Sequence, residues 1–375
     1  MRQPYLSKTR RVVLKLGSAV LTAPDGLNRP LIERLVAESG SLRGGEREFI
    51  IVSSGAIAAG CRKLGLSSRP SGIPQQQAVA AAGQSALMQV YEEAFAQIGL
   101  KVAQILLTHD DLESRQRFLN ARNTILTLLQ WRVVPIINEN DSVATHELKF
   151  GDNDNLAALI CNLVGADLLI LLTDTDGLFD QDPREHRDAK LVPLVESFDA
   201  KLEKAASSRA GALGQGGMGS KLQAAKKAAA AGLPTIIANG LTPGILTKIF
   251  AGEEVGTLFL PQAQKLKSRQ YWLAYNVNPK GAILVDQGAW EALAKRQKSL
   301  LPAGIVAVFG GFGKGAAVQL MDPEGRPFAI GLTNYSARDI GRIQGRQTKD
   351  IEQFLGQKGY DEVIHRDNLV IFPEI

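Results

Sequence analysis

Along the first two-thirds of the chain, short apolar runs end in small or polar residues and alternate with Ala- and Leu-rich stretches of helical spacing. Residues 11–16 run into Gly17-Ser18, 48–52 into Ser53-Ser54-Gly55, 102–107 into Thr108, and 133–137 into Asn138-Glu139-Asn140-Asp141. Residues 168–172 run into Thr173-Asp174 and 235–238 into Asn239-Gly240, and helical stretches open near Gly55 and Asn155. Near-continuous apolar strands separated by helices predict an α/β fold, a mainly parallel sheet covered on both faces in a three-layer αβα sandwich. Polar residues gather where the strands end, which is where open α/β sheets bind ligands.

Beyond Pro261 the pattern changes. Residues 261–270 are short, polar and basic and read as a linker. After them 282–285, 305–309 and 317–320 are short strands between Gly/Pro turns, with one clear helix at 289–296. The expected organisation is a catalytic domain over 1–262, a linker over 263–277 and a small β-rich domain over 278–375.

A length of 375 residues fits two domains, and 45% hydrophobic with 22% charged residues is ordinary for a globular chain. The start is polar and basic, and the apolar run behind it, 12–16, is too short for a signal peptide core or a membrane span. Cys61 and Cys161 stand far apart without a CxxC pattern, which points to free thiols and a cytoplasmic location. Most of the net charge of +5 lies from Lys265 onward, where 15 Lys/Arg face 11 Asp/Glu. Such an excess suits either a nucleic-acid-binding tail or an ordinary solvated surface.

Three glycine-rich loops stand at helix starts: Lys15-Leu16-Gly17-Ser18, Ser53-Ser54-Gly55-Ala56, and Gly214-Gln215-Gly216-Gly217-Met218-Gly219-Ser220-Lys221. Glycine lets the backbone approach an anion, and the free amides of a helix N-terminus attract it. A plain turn would explain any one loop; two loops that each carry a lysine favour a polyphosphate. The third formally matches a dinucleotide fingerprint, but no strand runs into it, and Gly219-Ser220-Lys221 has the wrong order for a P-loop. Acidic and amide residues cluster at 138–141 and 152–155, where helix capping accounts for one residue and a polar zwitterion site for the rest. His109, His146, His186 and His365 are scattered, and no metal-ligand spacing is present. A carboxylate acceptor needs no general base, being ionised at neutral pH with an ordinary pKa of ~4. Two lysines and a Mg2+ ion carried by ATP meet the electrostatic need of phosphoryl transfer.

These segments resemble the amino acid kinase family, in particular its glutamate-phosphorylating branch. The resemblance lies in 15–18, Ser54-Gly55-Ala56-Ile57-Ala58-Ala59-Gly60, Ile137-Asn138-Glu139-Asn140-Asp141, Phe150-Gly151-Asp152-Asn153-Asp154-Asn155, Leu172-Thr173-Asp174 and 216–221, in that order. The tail resembles a PUA domain at 285–289, 299–305 and 331–336. The resemblance implies transfer of the γ-phosphate of ATP to the γ-carboxylate of L-glutamate, the first step of proline biosynthesis. It implies Lys15 and Lys221 on the phosphates, with Asp154 orienting both, and Ser54, Gly55, Asp141 and Asn153 on glutamate. The nucleotide falls to Lys15, Gly17, Ser18, Thr173, Asp174, Gln215, Gly216, Gly217, Met218, Gly219, Ser220 and Lys221. No resident metal site is expected. Feedback inhibition by proline, a homo-oligomer (dimer or tetramer) and a glutamyl phosphate reductase as partner are implied in the same way.

Gln215 and Ser220 replace usual threonines, as do Ser18 and Ser53, and Ala316 stands where the tail commonly has an acidic residue. Two alternatives remain: an RNA-binding protein acting through the PUA-like domain on a kinase scaffold, and a related kinase for another carboxylate, carbamate or phosphate.

Overall fold

Strand β1 (Arg11–Leu16) is buried from Val12 to Leu16 on both of its faces, and this places it in the interior of an eight-stranded sheet. The other strands are β2 (Glu48–Ser53), β3 (Lys101–Leu107), β4 (Val133–Glu139), β5 (Leu168–Thr173), β6 (Leu194–Val195), β7 (Thr235–Asn239) and β8 (Thr257–Phe259). Their order is β3-β4-β2-β1-β5-β7-β8-β6, and every neighbouring pair is parallel except β7–β8. The computed structural model describes residues 2–23, 26–44, 47–144, 153–183, 185–198, 217–262, 265–356 and 359–372.

The covering helices are α1 (Arg29–Ser41), α2 (Ala56–Lys63), α3 (Ile73–Ala96), α4 (Arg115–Gln130), α5 (Asn153–Val164), α6 (Met218–Ala230) and α7 (Ile245–Ala251). Side chains alternate across a strand, so each buried run feeds two layers. Val12, Leu14 and Leu16 share one core with Leu35 of α1, Tyr91 of α3 and Ile249 of α7. Val13, Leu169 and Ile237 are equally buried but lie outside that cluster, and α5 and α6 pack on each other and on the central strands. The layering is the three-layer αβα sandwich that the periodicity predicts.

Helices α2 and α3 meet backbone to backbone. A Cβ added at Gly60 would stand 1.9 Å from the Val79 carbonyl oxygen, and one at Gly83 would stand 1.8 Å from that of Ala56. Helix α3 therefore serves as a rigid bed under the start of α2, the segment that follows β2.

The chain divides into two compact units, Met1–Leu266 and Lys267–Ile375. The second holds a five-stranded sheet of β9 (Ala282–Val285), β10 (Ile305–Phe309), β11 (Ala317–Met321), β12 (Pro327–Leu332) and β13 (Leu369–Ile371), in the order β10-β9-β11-β12-β13. Strands β12 and β13 escape the pattern: one opens on a proline and the other has three residues. The stretch expected as a linker, 263–277, is only partly one. Helix α8 (Ser268–Tyr275) occupies it and buries Tyr271, Trp272 and Leu273, an apolar triplet that cannot stay in water without cost. Among the described residues no helix is long and apolar enough to cross a membrane.

Candidate active site

Lys15 stands near the C-terminal end of β1, in register with Val52 of β2 and Leu171 of β5. An ammonium among such neighbours needs a counter-charge, since an isolated buried ion costs several kcal/mol. Asp154, in the first turn of α5, supplies it: Oδ1 pairs with Lys15 Nζ, and Oδ2 accepts from Lys221 Nζ at 3.1 Å. Exposures of 4%, 0% and 5% for the Lys15, Asp154 and Lys221 side chains make this a buried cluster with one surplus positive charge. Ser220 Oγ donates a further bond to Asp154 Oδ2 at 3.0 Å and lies 2.8 Å from the Gly217 carbonyl oxygen. Burial alone would push the Asp154 carboxyl up; the two ammonium groups and their hydrogen bonds outweigh it and hold the carboxyl below the usual range. Asp154 lies in the first turn of α5, with its carboxylate oxygens engaged by the two lysines.

Beside this cluster the end of β2 turns through Ser53-Ser54-Gly55 into α2. Gly55 has φ +100°, a conformation that side chains resist, so the turn depends on glycine there. Asn153 Nδ2 lies 2.9 Å from Ser54 Oγ, 2.9 Å from Asn138 Oδ1 and 3.1 Å from the Ser53 carbonyl oxygen. The Asn138 side chain also accepts from the Glu139 amide at 2.9 Å, which fixes it at the end of β4. Beneath the turn, Ser53 Oγ and the fully buried Tyr91 hydroxyl of α3 share a hydrogen bond of 2.8 Å. Burial pushes the Tyr91 phenol up, with the Ser53 bond acting in the opposite direction.

On the third side, the Gly17 amide donates to the Leu172 carbonyl oxygen at 3.2 Å, tying the first glycine loop to β5. Thr173 Oγ1 donates to Asp174 Oδ1 at 3.1 Å where β5 ends. All of these edges face one cavity of about 680 Å3.

Lys15, Gly17, Ser18, Ser54, Gly55, Asp141, Asn153, Thr173, Asp174 and Lys221 line it, and Asp154 sits behind the two lysines. Met218, Gly219 and Ser220 form the first turn of α6 after Gly217, and of these only Ser220 reaches the charged cluster. Gln215 and Gly216 lie outside the described residues, as do Gly151 and Asp152. The sequence reading placed Asn138 and Glu139 in a zwitterion-binding cluster without giving either a role of its own, and both line the cavity. It passed over Arg62, Leu66 and Arg69, which also line it. Only the helical phase after Gly55 hinted at Arg62, which falls two turns on from the loop, and Leu66 and Arg69 lie beyond the helix.

The amino acid kinase family matches residues 10–239, and the PUA domain matches residues 281–355. A protein named glutamate 5-kinase from Geobacter sulfurreducens is 53% identical over 372 residues, covering 99% of this chain and 100% of its own. One of the same name from Syntrophus aciditrophicus is 50% identical over 370 residues, covering 99% of this chain and 96% of its own. Among solved structures, the carbamate kinase from Giardia lamblia bound to AMP-PNP aligns with 68% of this chain and 100% of its own, at 15% identity and a TM-score of 0.50. That likeness concerns the fold alone.

Proposed function

The chain belongs to the amino acid kinase family and carries a PUA domain, and from that premise we propose that it phosphorylates the γ-carboxylate of L-glutamate with ATP. The product is L-glutamyl 5-phosphate, and the reaction opens proline biosynthesis in the cytoplasm. The observation that carries the reading is the Lys15–Asp154–Lys221 cluster beside the Asn153–Ser54 pair in one cavity.

The substrate is ATP with its Mg2+, and the donors of this chain suit that division of labour. The carboxylate at the centre of the site, Asp154, is already occupied by two ammonium groups and a hydroxyl, which supports a metal that arrives with the nucleotide. Lys15 and Lys221 meet the β- and γ-phosphates, and the amides near Gly17 and Gly217 add donors at helix starts. Thr173 and Asp174, with residues 215–221, hold the remainder of the nucleotide. Ser54, Gly55 and Asn153 place the acceptor, and Asp141 takes its ammonium.

A γ-carboxylate oxygen attacks the γ-phosphorus in line. The bond from that phosphorus to the β,γ-bridging oxygen breaks, and ADP leaves with the electron pair. No proton has to move, because the acceptor is ionised at neutral pH. The two lysines therefore act on charge alone, and they need no reorganisation because Asp154 fixes them beforehand. Proline, an amino acid of similar backbone, competes at or beside the glutamate site in this reading.

Incubation with MgATP, glutamate and hydroxylamine tests the proposal through glutamyl hydroxamate. The wild type forms it, and Lys221→Ala lowers kcat by roughly a hundred- to a thousandfold, the scale for removing one transition-state donor. Hydroxamate from another carboxylate, or hydroxyurea from carbamate, in place of glutamyl hydroxamate would move the assignment elsewhere in the family.

A further inference from the structure

We infer that Arg62 forms the subsite for the α-carboxylate of the acceptor amino acid; the inference rests on the glutamate reading above. Glutamate presents three charges, and two of them have partners on the page. The γ-carboxylate faces the phosphate end, and the ammonium suits the carboxylates at the end of β4, Glu139 and Asp141. The α-carboxylate needs a cation or a set of donors of its own, because removing it from water unpaired is costly.

Among the described residues four cations line the cavity: Lys15, Arg62, Arg69 and Lys221. The lysines are fixed on Asp154 at the phosphate end. Arg69 is engaged beyond the cavity wall, donating to Gln76 Oε1 at 3.1 Å. Arg62 makes no hydrogen bond or ion pair with the described residues, yet its stem is held. It sits in the last turn of α2, the helix that begins at the Ser54-Gly55 wall. Its Cγ and Cδ lie against Gly26, where an added Cβ would stand 3.3 and 4.0 Å from them. Gly26 pairs with Ala23 in a short hairpin, and both line the cavity beside the arginine. With φ +128° and no side chain, Gly26 leaves the stem room to lie across the hairpin. A held stem with an uncommitted guanidinium suits carboxylate recognition, since its planar fork matches the two oxygens.

The test compares glutamate with 4-aminobutanoate, which has the same reacting carboxylate and amine but no α-carboxylate. Hydroxamate trapping gives kcat/KM for each acceptor, and competition against glutamate gives the inhibition constant of 4-aminobutanoate. Arg62→Ala lowers kcat/KM for glutamate by roughly ten- to a hundredfold, mainly through KM, the scale of a charge-assisted pair. It leaves KM for ATP and the inhibition constant of 4-aminobutanoate within about twofold, on the same reasoning that only the α-carboxylate contact is lost. Arg62→Lys keeps part of the preference.

Equal loss for both acceptors would mark Arg62 as structural, and no loss for either would give the α-carboxylate to the backbone amides after Gly55. Both results overturn this inference while the kinase stands. A wild type that forms no glutamyl hydroxamate removes the glutamate reading and this inference together, and it does so before any variant is made.

Discussion

At one end of the cavity Lys15, Asp154 and Lys221 are buried and hold one another through direct ion pairs; at the other, Ser54 and Asn153 are half-buried and Arg62 is exposed. The buried end is complete before any ligand arrives. Its parts come from β1, α5 and α6, and Asp154 fixes both lysines. The open end is a short polar relay, from the Tyr91 hydroxyl to the Ser53 hydroxyl and from the Ser53 carbonyl to Asn153, which also donates to the Ser54 hydroxyl. The difference follows from what each end has to do. A transferring phosphoryl group always brings the same charge, so fixed cations serve it. An acceptor has to be told from its analogues, and that calls for contacts spaced along its length. Damage should differ accordingly: at the first end it leaves an unmatched charge in the interior, and at the second it removes one contact.

The largest break in this contrast is Asp154→Asn, which leaves two buried ammonium groups without their carboxylate. Turnover should fall by at least roughly a thousandfold, in line with lost electrostatic preorganisation. Stability should fall by about 3–5 kcal/mol, the usual cost of breaking a buried pair, as read from urea melts. The pH dependence carries the sign. Asp154 is held below its ordinary value, so its contribution is complete above an unfolded pKa of ~3.9 and is lost as pH falls through the lower folded value. The stability gap between wild type and Asp154→Asn should therefore be full at pH 7 and shrink in acid below about pH 4. A gap independent of pH would show that the carboxylate is not stabilised by the lysines.

A middle-sized effect should come from Gly83→Val. Its Cβ has no room beside the Ala56 carbonyl, so α2 must shift or the crossing must open. Overpacking of this kind costs about 1–3 kcal/mol, and KM for glutamate should rise while KM for ATP changes less. Equal changes in both constants would mean that the crossing supports the whole site and not the acceptor end.

The smallest break is Tyr91→Phe. It removes the hydroxyl under Ser53 but leaves Ser53 Oγ able to donate to the Ser54 carbonyl oxygen, 3.0 Å away. A loss of about 0.5–1.5 kcal/mol is expected, together with a few-fold rise in KM for glutamate. Unaltered glutamate kinetics in a normally stable variant would exclude the relay.

Six of the eight strands of the large sheet were legible as apolar runs, whereas β6 and β8 are too short to show a pattern; both lysines stood out as charges beside glycine loops. The role of Asp154 was available only through the resemblance, since nothing in the spacing of 15, 154 and 221 brings them together. The relay from Tyr91 and the hairpin under Arg62 were illegible for a related reason. Tyr91 reads as one more apolar position on a long helix, and Gly26 as one more turn glycine. Their partners are distant in the chain and follow no period. Helix α8 was hidden by basic and polar neighbours at 265–270 that resemble a tether until Tyr271-Trp272-Leu273 are seen packed.

The place of Asp154 also bears on the order in which the molecule matures. Its partner Lys221 lies 67 residues further along the chain, and Lys15 belongs to the first strand. Such contacts close long loops and cannot form before the later partner exists. A chain still being synthesised can lay down β1 to β5 and their helices, yet it cannot complete the anion site until α6 has emerged and docked. Catalytic competence then waits on α6, with β7, α7 and β8 of the same unit still to follow, and ATP binding would report that these two distant parts have joined.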